Sequence, residues 1–272
     1  ESVVLHSYRL IDENRTDEAI VLLTDEINKL SKNTSQSNSS AEMIELKITL
    51  ASAYAKKAGL TVREMAKAIK QSQQIANINT MTTTSTSAEY AKNEKILHDF
   101  SELLLTYFKS FQIISVIPKI EPAKIVYLSQ AVKIISSTSD LSPADLIYSA
   151  VLKVVLVRTL LESDELKQLI PVITKENNEC VAKVGEFRDY LVRASKILIS
   201  GLEDLTKALP DKKDEYMRNT HDIVEFSTHL SEINSAGLVI NKLQPNALSQ
   251  IHSLLGIGSQ EINCDSVQNT SQ

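Results

Sequence analysis

The sequence predicts an all-α fold of about ten helices, arranged as irregular helix pairs that stack into a solenoid or bundle. Almost every segment between breaks in the pattern carries apolar residues at helical spacing, and no segment alternates strictly between apolar and polar residues over more than a few positions. The chain of 272 residues contains only 6 Gly. This number disfavours β-rich folds and phosphate-binding loops, because both need backbone positions with positive φ.

The first half of the chain contains clear signals for the ends of helices. Acidic residues at Asp17 and Glu18 suit the first turn of a helix. Gly59 suits the left-handed position after a helix, and Thr61 with Glu64 forms a capping box that starts the next helix. The helices predicted from these signals and from the apolar spacing are Val3 to Asp12, Asp17 to Leu30, Ala41 to Ala58, Val62 to Ala76 and Ala88 to Val116.

The second half starts with two predicted helices, and each has a proline at its first position. Pro122 opens a helix that runs to Ile135, and Ser142 caps a helix that runs to Leu161 and is apolar on nearly all sides. Such a helix belongs in the core. The further predicted helices are a short one before Pro171, Glu176 to Leu209, Asp211 to Ala236, and Pro245 to Leu255.

The helix from Glu176 to Leu209 carries apolar residues at near-heptad spacing and needs a partner helix, for which Asp211 to Ala236 is the expected candidate. The apolar positions are Val184, Leu191, Leu198, Leu202, Leu205 and Leu209. The domain organisation that follows is helical-pair repeats over 1–162, a helical hairpin with closing helices packed on the repeats over 163–255, and a disordered tail over 256–272.

The first four predicted helices resemble tetratricopeptide helix pairs. The segment Leu50-Ala51-Ser52-Ala53-Tyr54 looks like the core of a first helix, and Asp17 to Leu23 looks like a second helix. The pairs start near residues 3, 41, 88 and 122 instead of repeating every 34 residues or so, which makes them irregular. The segment Ala53 to Leu60 is also similar to exported helical lipoproteins of Gram-negative bacteria, including the T component of periplasmic substrate-binding transport systems.

This resemblance implies a non-enzymatic scaffold or ligand-holding protein that often forms homo-oligomers. It also implies an exported or periplasmic location, favoured over the cytoplasm, with a lipid anchor on a removed N-terminus. In such folds the concave side of each first helix meets a protein or peptide. By helical phase, that side of the predicted helix Ala41 to Ala58 carries Glu45, Ile48, Ser52 and Lys56. Contact of these four with a neighbouring helix or with water is the competing interpretation.

An aromatic helix offers an alternative function. Phe100, Tyr107 and Phe111 share one face of the predicted helix Ala88 to Val116. With the apolar helix Leu146 to Leu161 they could line a cavity for a small apolar ligand. Core packing explains the same pattern and is the preferred interpretation.

Catalytic and metal sites are not expected. The chain has no strained turn of the GxSxG type to present a nucleophile. Cys180 and Cys264 belong to no metal-binding motif, and whether they pair stays open. A solvated charged face is preferred over a metal site for four residues that share one predicted helical face, His221, Glu225, His229 and Glu232.

The charge and the lengths of the apolar stretches exclude two further classes of protein, nucleic-acid-binding and membrane-spanning. The formal net charge of −5, without a cluster of basic residues, gives no electrostatic reason to bind nucleic acid. The longest apolar stretch, Leu146 to Leu161, contains Lys153 and Arg158 and is too short for a transmembrane helix. No cofactor and no metal is expected, and the predicted function is a non-enzymatic binding scaffold.

Overall fold

The structure, a computed structural model, describes residues 2–32, 39–60, 120–161, 173–176, 179–182 and 185–214, and isolated positions between 163 and 239. The α-helices of these residues are α1 (Val3–Asp12), α2 (Thr16–Lys32), α3 (Ser39–Lys57), α4 (Ile125–Ser136), α5 (Pro143–Leu161) and α6 (Gly185–Ala208). Short 3-10 turns at Pro122–Lys124 and Pro210–Lys212 lie beside α4 and α6. The helical character predicted from the sequence is confirmed, whereas a solenoid of about ten helices stays a prediction.

Several predicted elements lie outside the described residues. They are the helices Val62 to Ala76, Ala88 to Val116 and Pro245 to Leu255, the capping box at Thr61 and Glu64, and the tail over 256–272.

The helix ends follow the local signals of the sequence. Helix α1 begins at Ser2, whose Oγ accepts a hydrogen bond from Leu5 N at 3.2 Å. Helix α5 begins with a reciprocal cap, in which Asp145 N and Ser142 Oγ lie 3.3 Å apart and Ser142 N and Asp145 Oδ2 lie 3.3 Å apart. Gly59 has φ of 95° after α3, and Leu60 N donates to Ala55 O at 3.0 Å. This is the left-handed stop predicted for Gly59.

Each described helix packs against the helix before it. Helix α2 contacts α1, α3 contacts α2, and the series continues through α4, α5 and α6; α1 also contacts α3. The interior of the first three helices is a cluster of aliphatic side chains. Its largest buried members are Leu10, Leu23, Leu46 and Leu50. The α1–α3 unit is therefore held together mainly by apolar packing.

Helix α5 is the most enclosed element. Residues from Ser149 to Val157 are buried without interruption, and Val155 is fully buried. The predicted central helix is thus found where the sequence placed it. Its main packing partners among the described helices are α4 and α6.

A small antiparallel sheet precedes α6 and corrects the predicted helix Glu176 to Leu209. Strands β1 (Ile173–Glu176) and β2 (Glu179–Ala182) pair with Ile173 opposite Ala182, and β3 (Leu238–Val239) pairs with β2. The prediction was wrong at Glu176 and over Glu179–Ala182, which lie in strands. β-Branched residues such as Ile173, Thr174 and Val181 favour strands.

The apolar stripe of α6 packs on a helix that was not predicted as its partner. Leu191, Leu198 and Leu205 are buried, and α6 packs along α5. Most of the predicted partner, Asp211 to Ala236, lies outside the described residues, so its packing stays a prediction. Helix α5 can accept the stripe because it is apolar around its whole circumference.

Candidate functional site

The predicted binding residues lie along one side of α3. Glu45, Ile48, Ser52 and Lys56, called here the α3 strip, recur at spacings of three and four residues and so share one helical face. Glu45 is exposed and the other three are half-buried. Their use by a partner stays a prediction.

Buried residues lie on both sides of the α3 strip. Leu46, Leu50 and Ala53 belong to the apolar cluster shared with α1 and α2. Ala55 and Ala58 are buried as well. The α3 strip is thus an accessible face of a helix whose other faces are packed.

Tyr148 of α5 comes close to the middle of the α3 strip. Burial raises the pKa of its hydroxyl to about 12, an effect that the neighbouring Ser52 opposes and the nearby Tyr8 reinforces. The hydroxyl is therefore neutral at physiological pH, since tyrosine ionises only near pH 10 even in water. Three elements meet here: Tyr8 of α1, Ser52 of α3 and Tyr148 of α5, called here the hydroxyl junction.

The hydroxyl of Tyr148 is buried, yet it completes no hydrogen bond with any described residue. Ser52 acts on its pKa as a hydrogen-bonding neighbour would, but the geometry between the two side chains completes no hydrogen bond. An unsatisfied buried hydroxyl costs about 1–3 kcal/mol. The Tyr148 hydroxyl can therefore still form a hydrogen bond that no described residue provides.

Helix α1 adds a second group of this kind and an apolar edge. Ser7 Oγ is buried and has no hydrogen-bond partner among the described residues. Tyr8, the next residue, is 42% exposed, and Leu5, one turn earlier on the helix, is 60% exposed. Exposed apolar surface on α1 thus lies beside the hydroxyl junction, where the Tyr148 hydroxyl is unsatisfied.

Lys57 holds the C-terminal end of α3 in place. Its Nζ donates to Asp17 Oδ1 at the start of α2 and lies 4.3 Å from the ring centroid of Tyr127 in α4. The hydrogen bond with Asp17 raises the pKa of Lys57, which burial opposes. These contacts tie three helices together. Lys56, the adjacent residue on the α3 strip, forms no ion pair with a described acid.

A second polar cluster lies in the interface between α5 and α6, and it was not found from the sequence. Lys153 Nζ lies 2.5 Å from Asp204 Oδ2 and donates to Ser200 Oγ at 2.9 Å. Ser149 Oγ donates to the same Asp204 oxygen at 2.6 Å. Only 4% of the Lys153 side chain and 11% of the Asp204 side chain are exposed. The sequence signal was a lysine within a buried apolar helix, which requires an acidic partner but does not identify it.

This cluster is suited to holding the two helices together. Because the Lys153 ammonium donates to both Asp204 and Ser200, it is not placed as a base that would activate the serine. Gly201 permits the close approach of the helices, since a Cβ there would lie 3.3 Å from Lys153 Cβ. The cluster therefore acts as a structural lock between α5 and α6.

The remaining predicted sites have little or no description in the structure. Phe100, Tyr107 and Phe111 lie outside the described residues, as do Glu225, His229, Glu232 and Cys264. His221 is exposed, and the backbone of Cys180 lies in β2. Within the described residues, no group of three or more metal-ligating side chains is assembled. No helix of this part of the chain combines the length and the apolar character needed to cross a bilayer.

Comparisons of the chain with protein-family models, with curated proteins and with solved structures find no match.

Proposed function

We propose that the chain is a non-enzymatic binding scaffold that receives a protein or peptide on the α3 strip. The observation that carries this proposal is the unsatisfied hydroxyl of Tyr148 beside Ser52. A buried donor without an acceptor lowers the stability of the free chain, and an acceptor on a partner removes that cost on binding. The exposed side chains of Leu5 and Tyr8 add apolar area at the same place.

The order of helix packing supports the tetratricopeptide-like part of the proposal. Helices α1 and α2 pack as a pair, and α3 packs on both of them. A third helix that contacts both helices of the preceding pair is what stacked helix pairs require. An exported or lipid-anchored location and a homo-oligomeric state are further parts of the proposal that come from the sequence resemblance.

The proposal is tested by placing negative charge on the α3 strip. Ser52→Glu with Lys56→Glu should weaken partner binding by about 1–3 kcal/mol through repulsion and desolvation. The melting temperature should change little, because both positions are half-buried and neither belongs to the apolar cluster. The measurement is affinity capture on the immobilised full chain, followed by titration of the polypeptide that is retained.

The matched control is Ser139→Glu with Lys196→Glu. Both positions are exposed, and the pair of changes alters the net charge by the same amount. A polypeptide retained by the control and lost by the α3 strip variant supports the proposal. Equal retention by both variants with unchanged melting would place the functional surface elsewhere. A strongly lowered melting temperature of the α3 strip variant would show that Ser52 or Lys56 is needed for the core.

Holding a small apolar ligand is the alternative function. Its predicted residues Phe100, Tyr107 and Phe111 lie outside the described residues, so nothing described favours it. Native mass spectrometry of the purified chain separates the two functions, since a co-purifying small apolar molecule without a retained polypeptide would favour the alternative.

A further inference from the structure

Tyr148 carries an unused hydrogen-bond donor at the point where α1, α3 and α5 meet. We infer that the Tyr148 hydroxyl is the anchor of the binding surface and that it takes an uncharged acceptor, the carbonyl oxygen of a peptide-type group, from the bound partner. This inference rests on the proposed function and adds the chemistry of the group that is recognised.

The position of the hydroxyl is the first step. The Tyr148 side chain as a whole is half-buried, while its hydroxyl oxygen is buried and has no hydrogen-bond partner among the described residues. Ser52 and Tyr8 are the neighbours that influence it. The hydroxyl thus lies just below the surface, beside a residue of the α3 strip.

The charges around the hydroxyl define the acceptor. Ser52 and Tyr8 are neutral, and no described cation contributes to the electrostatics of the Tyr148 hydroxyl. A carboxylate placed there would lose its hydration without an opposite charge to compensate, whereas an amide carbonyl loses far less. An uncharged carbonyl is therefore the favoured acceptor, and the backbone of a polypeptide presents one at every residue.

One neighbour of the Tyr148 hydroxyl is a partly exposed side chain. Tyr8 is close to the Tyr148 hydroxyl, and 42% of its own surface is exposed. Exposed side chains change rotamer on the nanosecond timescale or faster. The Tyr8 side chain can therefore change conformation beside the hydroxyl while the buried residues Leu10 and Ile11 of the same helix stay in place.

The test uses the full chain with ¹³C-labelled tyrosine rings and two small probes, followed by NMR. N-methylacetamide represents the peptide carbonyl, and acetate represents a carboxylate. We expect a saturable shift of the Tyr148 ring signals with N-methylacetamide and none with acetate over the same concentration range. Tyr148→Phe, which removes the anchor, should abolish the saturable shifts of neighbouring signals such as those of Tyr8.

Thermal melting supplies an independent measurement with a matched control. Tyr148→Phe should leave the melting temperature unchanged or raise it, because it removes a hydroxyl without a partner. Tyr190→Phe should lower it. The Tyr190 hydroxyl bonds with Ser163 Oγ and donates to Leu160 O, both at 2.8 Å. The two substitutions remove the same atom, so the difference reports whether that atom is satisfied in the free chain.

Three outcomes would overturn the inference. They are the absence of a saturable Tyr148 shift with N-methylacetamide, an equal shift with acetate, and a loss of stability in Tyr148→Phe as large as that in Tyr190→Phe. None of these measurements requires the natural partner. If the amide probe binds at Tyr148 and the α3 strip variant still retains its polypeptide, the proposed function fails while the anchor stands.

Discussion

The α1–α3 unit and the α5–α6 hairpin pack by different means. In the first, aliphatic residues such as Leu23, Leu46 and Leu50 form the interface, and the Lys57–Asp17 pair between α3 and α2 lies at its exposed edge. In the second, buried apolar residues such as Ala150 and Leu205 share the interface with the Lys153–Asp204 pair. The first interface is thus mainly apolar, and the second encloses an ion pair.

The difference bears on how precisely each interface is specified. Apolar packing tolerates small shifts and substitutions as long as volume is kept. A buried ion pair with serine partners is satisfied in one register of the two helices, because any slip leaves a charge buried without its partner. We therefore expect the α5–α6 hairpin to be the more rigidly defined frame. The α1–α3 unit, which presents the α3 strip, is the more adaptable region.

The largest expected effect comes from breaking the buried pair. Asp204→Leu leaves the Lys153 ammonium in the interface with Ser200 as its remaining partner, and the free energy of unfolding should fall by about 3–5 kcal/mol. Chemical denaturation of the full chain measures this.

The double variant Lys153→Met with Asp204→Leu is the control, because it removes both charges and keeps the volume. Its stability should return close to that of the parent chain. If Asp204→Leu alone costs less than about 1 kcal/mol, the pair behaves as an exposed pair does, and the contrast between the two regions disappears.

The apolar interface responds to a loss of volume. Leu46 is almost fully buried, with 1% of its surface exposed, and lies in the cluster shared by α1, α2 and α3. Leu46→Ala should destabilise by about 3 kcal/mol through lost burial and the cavity left behind. The measurement is again chemical denaturation.

The conservative control for this position is Leu46→Met, which nearly keeps the volume and should cost less than about 1.5 kcal/mol. Equal losses for the two substitutions would mean that shape, and not volume, decides packing in the α1–α3 unit. That unit would then be as strictly specified as the hairpin.

The same contrast explains what the sequence could predict. The helices of the α1–α3 unit follow from apolar spacing and caps, and α1 has the predicted bounds, Val3–Asp12. These signals are local, so they can be found without knowing the fold. The burial of α5 was also predicted, because a helix that is apolar on all sides would expose apolar side chains to water anywhere but in the core.

The partners of buried polar groups could not be predicted. Lys153 and Asp204 are 51 residues apart in the chain, and no local pattern connects them. The same holds for Tyr148 and Ser52, which approach each other through tertiary packing. The prediction missed the strands at 173–176 and 179–182 for another reason. The periodicity of a short segment does not distinguish a strand from the first turns of a helix.

A smaller effect is expected where α3 ends. Gly59 has φ of 95°, and a Cβ there would meet no atom within 4 Å. The cost of Gly59→Val is therefore conformational and not a clash with neighbouring residues, and we expect about 1 kcal/mol or more. A thermal melt checks this.

Gly59→Asn is the control and should cost less, because asparagine tolerates left-handed conformations. Equal costs for Val and Asn would indicate that the α3 terminus is not held in this conformation in solution.

The smallest expected effect lies at the exposed ion pair of the α1–α3 unit, the counterpart of the buried pair in the hairpin. Arg15 Nε donates to Glu18 Oε1 at 2.8 Å, and Arg15 Nη2 donates to Glu18 Oε2 at 2.7 Å. These hydrogen bonds lower the pKa of Glu18. Folding therefore favours the ionised carboxylate. The resulting stabilisation is present above the unfolded-state pKa and is lost as the pH falls through the lower folded-state pKa.

Arg15→Gln should raise the pKa of Glu18 toward its ordinary value, which an NMR titration of the side-chain carboxyl carbon measures directly. Because both side chains are exposed and water screens their charges, the change in unfolding free energy should be far smaller than that of Asp204→Leu. Added salt should move the Glu18 pKa of the parent chain in the same direction as Arg15→Gln does, since screening weakens an exposed pair. An unchanged Glu18 pKa in Arg15→Gln would show that the ion pair is not populated in solution. A loss of stability comparable with that of Asp204→Leu would show that Arg15 supports the α1–α2 turn by more than charge, and the distinction between surface and buried pairs would then not separate the two regions.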